Sequence, residues 1–270
     1  MTVRSAGPLV RDWRVRRRRS QMDLAYEVGV SPRHLSFVET GRSRASPELL
    51  LALADHLDIP LRERNGLLLA AGYAPRYSQA PFGSAEMGRL RGMLEGVLTA
   101  HDPYPGFVVD RYWNVVLANN AAQDMADVLP GELKGPPLNV FRASLHPDGL
   151  AARTLNFPEW SRYLLGQLHR TALLTGDAEF VALVAEVGRY PNVVGLGDWR
   201  KGASNEEPDL LVPFRVNLGR GELSLFTTMT VFGTPHDVTV AELAVELFYP
   251  ADRASEALLR SSSVRRPLGP

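Results

Sequence analysis

Arg33, Ser36 and Phe37 fall within the stretch VGVSPRHLSFVETGRSRAS, residues 28–46, and two further arginines, Arg42 and Arg44, follow closely. A guanidinium, a hydroxyl and an aromatic ring on one exposed helix face suit a DNA major groove. There arginine bonds guanine bidentately, and an apolar ring meets a thymine methyl. The spacing supports a single face, because each residue advances about 100° around an α-helix. With Leu35 and Val38 as the buried stripe, Arg33, Ser36 and Phe37 lie more than roughly 120° from its centre, and His34 lies on the flank. Taken alone, the same residues also fit a solvated face with Phe37 tucked against a neighbouring loop.

Such a face needs a frame, and the first 76 residues read as five short helices with breakers between them. The first covers Pro8 to Arg18, and the second starts near Gln21 and buries Leu24, Ala25 and Val28. Gly29 tolerates a positive φ, Ser31 can cap the next helix, and Pro32 suits the first helical position, where no amide hydrogen is needed. A tight turn between two short helices follows. The fourth helix begins near Pro47 as ELLLALADHL, and the fifth follows Pro60 as LRERNGLLLAAG, ending at Gly72.

The chain has 270 residues, enough for one large domain or two ordinary ones with a core that needs neither disulfides nor metal. It has no cysteine, which excludes disulfide frameworks, thiolate zinc sites and cysteine nucleophiles and makes a reducing, cytoplasmic setting the default expectation. No apolar stretch of signal-peptide length follows the basic N-terminus, and nowhere do about 18 uncharged apolar residues run together, so neither export nor membrane insertion is expected. The net charge of zero conceals an asymmetry. Residues 1–76 hold 13 Lys plus Arg against 8 Asp plus Glu, a balance of +5, which leaves −5 for the rest. A small basic segment joined to a larger acidic one fits a polyanion-binding module with a separate body. The run Arg16 to Arg19 fits either a phosphate-tracking patch or an ordinary solvated face.

The Pro/Gly-rich stretch GYAPRYSQAPFGS separates the two halves, giving a domain over 1–76, a linker over 77–86, a second domain over 87–260 and a tail, 261–270, expected to be disordered. In the body, GFVVDRYWNVVLANNAAQDMAD reads as a hairpin: a strand, a turn at Asp110 to Tyr112, a strand through Leu117, and a helix after Asn119 and Asn120. WSRYLLGQLHRTALL and DAEFVALVAEVGRY carry helical periodicity, and ELSLFTTMTVFG and VTVAELAVELFYP read as two strands separated by TPHD. The expected class is α+β behind an all-α segment. Enzymatic signatures are missing: no GxSxG, GxxxxGK[ST] or HExxH occurs, and the six histidines lack metal-ligand spacing. No catalytic residue, cofactor or metal is implied, and His236–Asp237 reads as part of a hairpin turn.

SQMDLAYEVGVSPRHLSFVETGRSRAS resembles the helix-turn-helix of the repressor and Cro-like (XRE) family, with Gln and Leu-Ala on the first motif helix, a Gly turn, a Ser cap and Glu-x-Gly after the second. The resemblance implies that Gln21 meets a phosphate or base, that Pro32, Arg33, Ser36 and Phe37 face the groove, and that Arg42 and Arg44 meet phosphates. It also implies a pairing of Arg14 with Glu39, which could equally be an ordinary surface ion pair. Arg19 departs from the family, which places an apolar residue there. The hairpin followed by AN-x-A looks like the start of a PAS domain, a small antiparallel sheet flanked by helices. VVDRYWNVVLANNAA, LNVFRASLHP, NFPEWSRYLL and FGTPHDVTVAELAVELFYPAD together resemble the MmyB-like transcription regulators, in which an XRE-type domain precedes a PAS-like ligand-binding domain. That resemblance implies a regulator that senses a small lipophilic molecule; its partner is expected to be a double-stranded DNA operator, read as a homodimer because a single helix-turn-helix offers too few base contacts for specificity. Asn119, Asn139, Arg142, His146 and Trp160 lie in the family-like motifs and are the candidate ligand contacts, although both asparagines also suit helix caps and Trp160 suits a core. Two other readings stay open. In one the body serves only for dimerisation and partner docking; in the other it is an enzyme carried by a DNA-targeting domain.

Overall fold

The structure, a computed structural model, describes residues 5–199 and 211–263, and the chain folds into two compact units. The first unit holds residues up to Ser84 together with Phe232–Ala241; the second holds Ala85–Val231 and the residues from Glu242 onward.

Five helices build the first unit: α1 Ala6–Arg16, α2 Gln21–Glu27, α3 Pro32–Glu39, α4 Pro47–His56 and α5 Leu61–Ala70. Three start on a serine whose hydroxyl accepts an amide hydrogen three residues on: Ser20 from Asp23 (3.0 Å), Ser31 from His34 (3.1 Å) and Ser46 from Leu49 (3.2 Å). Pro32 and Pro47 follow their caps in the first turn. Gly29 ends α2 at φ 72°, letting the Val30 amide reach back to the Ala25 carbonyl at 2.9 Å. Val10, Trp13, Leu24, Leu35, Val38, Leu50, Leu53, Leu57, Ile59, Leu67 and Leu68 close the core. Gly7 lets α1 pass directly over the end of α3, because a Cβ there would sit 2.1 Å from the Val38 carbonyl oxygen.

The segment Phe232–Ala241 belongs to this unit although it is inserted between two strands of the other. Val238–Ala241 forms one short helix turn, numbered below in chain order, and Asp237 caps it by accepting from the Thr239 (2.8 Å) and Val240 (3.2 Å) amides. The other Asp237 oxygen accepts from Ser78 Oγ and the Ala80 amide, while Thr239 Oγ1 donates to the Ala80 carbonyl. The strand expected over VTVAELAVELFYP therefore begins later than its β-branched residues suggest, since local capping by Asp237 outweighs their strand preference.

The second unit runs α6 Gly88–His101, β1 Gly106–Val109, β2 Val115–Ala118, α7 Asn120–Ala126, α8 Gly131–Lys134, α9 Val140–Leu145, a 3₁₀ turn Leu150–Arg153, α10 Phe157–Thr175, α11 Ala178–Val187, α12 Pro191–Val194, β3 Phe214–Asn217, β4 Glu222–Val231, β5 Ala244–Pro250 and α14 Arg253–Ser263. The turn Val238–Ala241 of the first unit is α13. The strands form one antiparallel sheet in the order β2-β1-β5-β4-β3, flanked by helices, the arrangement a PAS-like domain implies. Strand β3, four residues long, is one that the sequence pattern does not disclose. Residues 261–263 of the expected tail complete α14, and the remainder of the tail lies outside the described residues.

Side chains alternate across the sheet. One face carries Phe214, Leu225, Thr227, Met229, Phe248, Glu246 and Phe107, as the pairings Phe214↔Leu225, Thr227↔Phe248, Met229↔Glu246 and Phe107↔Glu246 require. Phe214, Leu225 and Phe248 join Phe141, Trp160, Leu164, Leu165, Leu168, Phe180, Leu183 and Val187 in one core, so this face packs on α9, α10 and α11. The opposite face carries Val108, Val245, Leu247 and Tyr249. Here α6 is fixed by His101, which lies edge-on to Tyr249 at 4.9 Å and whose Nε2 is 2.9 Å from the Phe248 carbonyl.

Candidate functional site

Helix α3 turns Leu35 and Val38 fully into the core and leaves Arg33 exposed, with Ser36, Phe37 and His34 half-buried. The Arg33 guanidinium lies 5.4 Å from the centre of the Phe37 ring, so these two side chains form one composite surface, cation over ring. Gly41 at φ 73° ends the helix, and the Arg42 amide bonds back to the Phe37 carbonyl at 2.8 Å, which fixes the chain just beyond α3.

Behind the exposed face lies a locked ionic group. Arg14 of α1 makes a bidentate pair with Glu39 at the end of α3, Nε to Oε1 at 2.7 Å and Nη2 to Oε2 at 2.9 Å, and its Nη1 donates to the Arg19 carbonyl at 2.9 Å. Gln21 Nε2 donates to the same Glu39 Oε2 at 2.9 Å. The two charged side chains are 12% and 2% exposed, so this is a buried pair that joins α1, α2 and α3 and not a solvated surface contact. The hydrogen bonds from Arg14 to Glu39 hold the guanidinium above its ordinary range. Gln21 thus presents only what its bond to Glu39 leaves free.

The two arginines after α3 differ. Arg42 is exposed, and among the described residues its side chain has no hydrogen-bond or ion-pair partner. Arg44 donates Nη2 to the Ala71 carbonyl at 2.9 Å and stacks 4.7 Å from the centre of Tyr73, so it ties the end of α5 to the loop after α3. The run Arg16 to Arg19 is divided as well. Arg17 donates to the Leu57 (3.0 Å) and Asp58 (2.9 Å) carbonyls at the end of α4, Arg19 pairs with Glu27, and Arg18 is exposed at φ 54°. The charge at position 19 is accommodated because its side chain turns outward to Glu27 while its carbonyl receives Arg14.

In the second unit the sequence-selected polar residues are engaged internally. Asn119 Oδ1 accepts from the Gly106 and Ala122 amides, and its Nδ2 donates to the Leu98 and Tyr104 carbonyls. Asn139 accepts from the Phe141 and Arg142 amides and donates to the Tyr112 carbonyl and Asn114 Oδ1. Both amides use two acceptor and two donor positions, their full capacity, as helix caps that also stitch the hairpin. Arg142 pairs with Glu186 through two 2.7 Å bonds, which hold the Glu186 carboxyl below its usual range. Tyr190 donates to Glu186 at 3.0 Å, and burial, reinforced by that carboxylate, pushes its hydroxyl up to about 12. His146 lies edge-on to Tyr190 at 5.0 Å and receives the Asp148 amide at Nδ1. These residues form a connected cluster of Arg142, His146, Glu186 and Tyr190, and Asn119 and Trp160 lie outside it.

Trp160 differs from the other four. It is buried between Tyr163 (ring centres 5.4 Å apart) and Phe214 (5.0 Å), and its Nε1 hydrogen has no partner. Sequence reasoning misses Glu246, a carboxylate at the centre of β5 that is 8% exposed and has an unpartnered Oε2. Burial pushes its carboxyl up to about 7, opposed by the Thr227 hydroxyl. The signal is present as a single acid in the apolar run LAVELFYP. Among the described residues no group of three or more His, Cys, Asp or Glu could hold a metal, and no helix is long and apolar enough to cross a membrane.

Comparison with known proteins assigns both halves. Residues 6–67 match a helix-turn-helix domain, and residues 90–261 match the MmyB-like transcription regulator ligand binding domain. Among solved structures, the PAS domain of Bordetella pertussis BvgS aligns at 18% identity over 64% of this chain and 97% of that one, with a TM-score of 0.24. A search of curated proteins returns no match. Since the ligand-binding match alone spans well over half of the sequence, and a helix-turn-helix precedes it, the chain belongs to the MmyB-like transcription regulators.

Proposed function

We propose that this regulator reads a specific DNA sequence as a homodimer and that a small apolar molecule, bound in its second unit, changes its affinity for that sequence. The observation that carries the reading is the division of labour around α3. Arg14, Glu39 and Gln21 lock its inner side, while Arg33 and Phe37 form a paired cation and ring outside and Arg42 keeps its charge free. Arg33, Phe37, Ser36 and Pro32 then face the groove, and Arg42 holds a phosphate. One helix-turn-helix offers few base contacts, so two copies on half-sites about one turn, roughly 34 Å, apart supply the specificity.

A ligand matters only through different affinities for DNA-competent and DNA-incompetent states, with coupling typically about 1–3 kcal/mol. The engagement of Asn119, Asn139 and Arg142 favours a second reading in which the body only dimerises. The orphaned polar groups of Trp160 and Glu246 favour the sensor.

Native followed by denaturing mass spectrometry of the purified chain identifies any carried molecule and the oligomeric state. Affinity for duplexes enriched from a random pool is then measured with that molecule present and after its removal. A dimer whose DNA affinity changes about tenfold on removal is the expected result. An identical affinity in both states would reject the sensor role for that molecule, and a monomer saturating one half-site would reject the dimer.

A further inference from the structure

Three chain crossings join the two units: after Ser84, after Val231 and after Ala241. The last two flank the tip of the hairpin formed by β4 and β5, strands that pair without a break from Leu225↔Pro250 to Val231↔Ala244. The tip, Phe232–Ala241, is therefore a structural part of the helix-turn-helix unit. Strands paired along their whole length move together, because ladder hydrogen bonds must break before they can separate. A change in the path of β4 and β5 is thus delivered to the tip.

Inside the first unit the tip is tied by backbone and side chains. The Val238 amide donates to the Ser78 carbonyl at 2.8 Å, Asp237 Oδ2 accepts from Ser78 Oγ (2.8 Å) and the Ala80 amide (3.2 Å), and Thr239 Oγ1 donates to the Ala80 carbonyl at 2.7 Å. Val238 is fully buried. The residues just before Ser78 are gripped by Asn65, a buried side chain in the middle of α5. Its Oδ1 accepts from the Arg76 (3.0 Å) and Tyr77 (3.1 Å) amides, and its Nδ2 donates to the Tyr77 carbonyl at 2.8 Å. At the end of α5 the Ala71 carbonyl accepts from Arg44, and the Tyr73 hydroxyl donates to the Ala45 carbonyl at 3.0 Å. Both bonds hold the loop between α3 and α4, the loop that carries Arg42. From the hairpin tip to the chain just beyond α3, every link is a hydrogen bond or a helix, a continuous series able to carry a displacement.

We infer that the β4–β5 hairpin is the transmission element of this regulator. The state of the sheet sets the position of the Asp237 clasp, and the clasp sets the α3–α4 loop through residues 76–80, Asn65 and Arg44. This rests on the proposed coupling of ligand and DNA and names its route. Asp237 then has two tasks, since one oxygen caps α13 while the other ties residues 78–80. Asp237→Asn separates them: its amide oxygen keeps the cap, and its amide nitrogen cannot accept from Ala80.

Coupling in binding free energy is reciprocal, so DNA itself serves as the probe and the ligand need not be known. Backbone hydrogen exchange is followed by mass spectrometry in the full chain, free and saturated with the duplex it enriches from a random pool, for the wild type, Ser78→Ala and Asp237→Asn/Thr239→Val. In the wild type the duplex should slow exchange at α3 and, by at least about fivefold, along Thr227–Val231 and Ala244–Phe248. In Asp237→Asn/Thr239→Val the slowing at α3 should persist, while that along β4 and β5 should fall to about twofold or less. Ser78→Ala, which loses one bond and keeps the cap, should lie between them. Each value compares bound with free chain of the same variant, so a uniform loss of stability raises both rates and cancels.

Slowing confined to α3 in the wild type would overturn the inference and leave the DNA-reading assignment standing. Equal slowing of β4 and β5 in all three proteins would show that coupling takes another route, and would overturn it as well. If no duplex slows α3, the DNA-reading assignment itself fails, and the inference with it.

Discussion

The outer face of α3 and the inner face of β5 use opposite means to keep side chains available. With Glu39 buried as the anchor of α3, Arg33 on the helix and Arg42 just beyond it face water and can meet a charged partner at little desolvation cost. On β5 the available group is buried, and Glu246 keeps an open acceptor where the surrounding side chains could have been apolar. The contrast shows that position within a motif does not make a residue available. Arg44 and Asn119 sit where DNA and ligand contacts are expected, yet Arg44 holds the end of α5 and Asn119 has no bonding capacity left.

The largest effect expected is on the ionic pairs, where the two units offer the same chemistry at different depths. Arg14→Ala leaves Glu39 charged, 4% exposed and held only by Gln21, and should cost about 3–5 kcal/mol of first-unit stability. Arg142→Ala breaks an equally well-formed bidentate pair, but one whose side chains are 43% and 38% exposed, and should cost about 1 kcal/mol or less. Urea unfolding of both variants, followed by circular dichroism, compares them; equal losses would remove depth as the deciding factor.

The next effect is on Glu246. Its carboxyl is raised from 4.5 to about 7 on folding, so between those values the folded chain holds a proton that the unfolded chain has released. Stability from this group is therefore fully present at low pH and declines as pH rises from about 4.5 to about 7, by up to about 3 kcal/mol. The groups facing it are the Thr227 hydroxyl and Tyr163, with Arg170 also acting on Tyr163. Unfolding free energies at about pH 5 and about pH 8 should differ more for the wild type than for Glu246→Gln, in the direction of a less stable wild type at the higher pH. Parallel profiles would show that Glu246 does not titrate on folding.

Smaller effects separate the two arginines beyond α3. Arg44→Ala should lower first-unit stability by about 1 kcal/mol through the lost bond to Ala71. Arg42→Ala should leave stability unchanged, weaken binding to specific and random DNA alike, and flatten the slope of log affinity against log salt by about 0.9. Filter binding across a salt series, paired with thermal unfolding, measures both. Equal salt slopes for the two variants would mean that Arg44 also reaches a phosphate.

What is legible in the sequence is local. Ser20, Ser31 and Ser46 before their helices, Pro32 and Pro47 inside them, and the period of Leu35 and Val38 specify the helical frame without reference to distant residues. The hairpin of β1 and β2 is readable for the same reason. Failures come where the partner is remote. Arg17 bonds a carbonyl 40 positions away, and Arg44 one 27 positions away, and no pattern within either segment announces the pairing. Asp237 converts VTVA from an apparent strand start into a helix turn while also binding Ser78 and Ala80. Strand β3 spans only four residues, too few for alternation to stand out.

The most direct test of the α3 assignment is enrichment of duplexes from a random pool by the wild type, Arg33→Ala and Phe37→Ala, each first shown to unfold at the wild-type temperature. The wild type should enrich a two-fold symmetric site with half-sites about one helical turn apart. Arg33→Ala should lose preference at one base position per half-site, at about 1–3 kcal/mol, and Phe37→Ala should lose discrimination with an unchanged salt slope. Folded variants that enrich the same site as the wild type, with the same preference at every position, would show that a different face of the protein meets the groove.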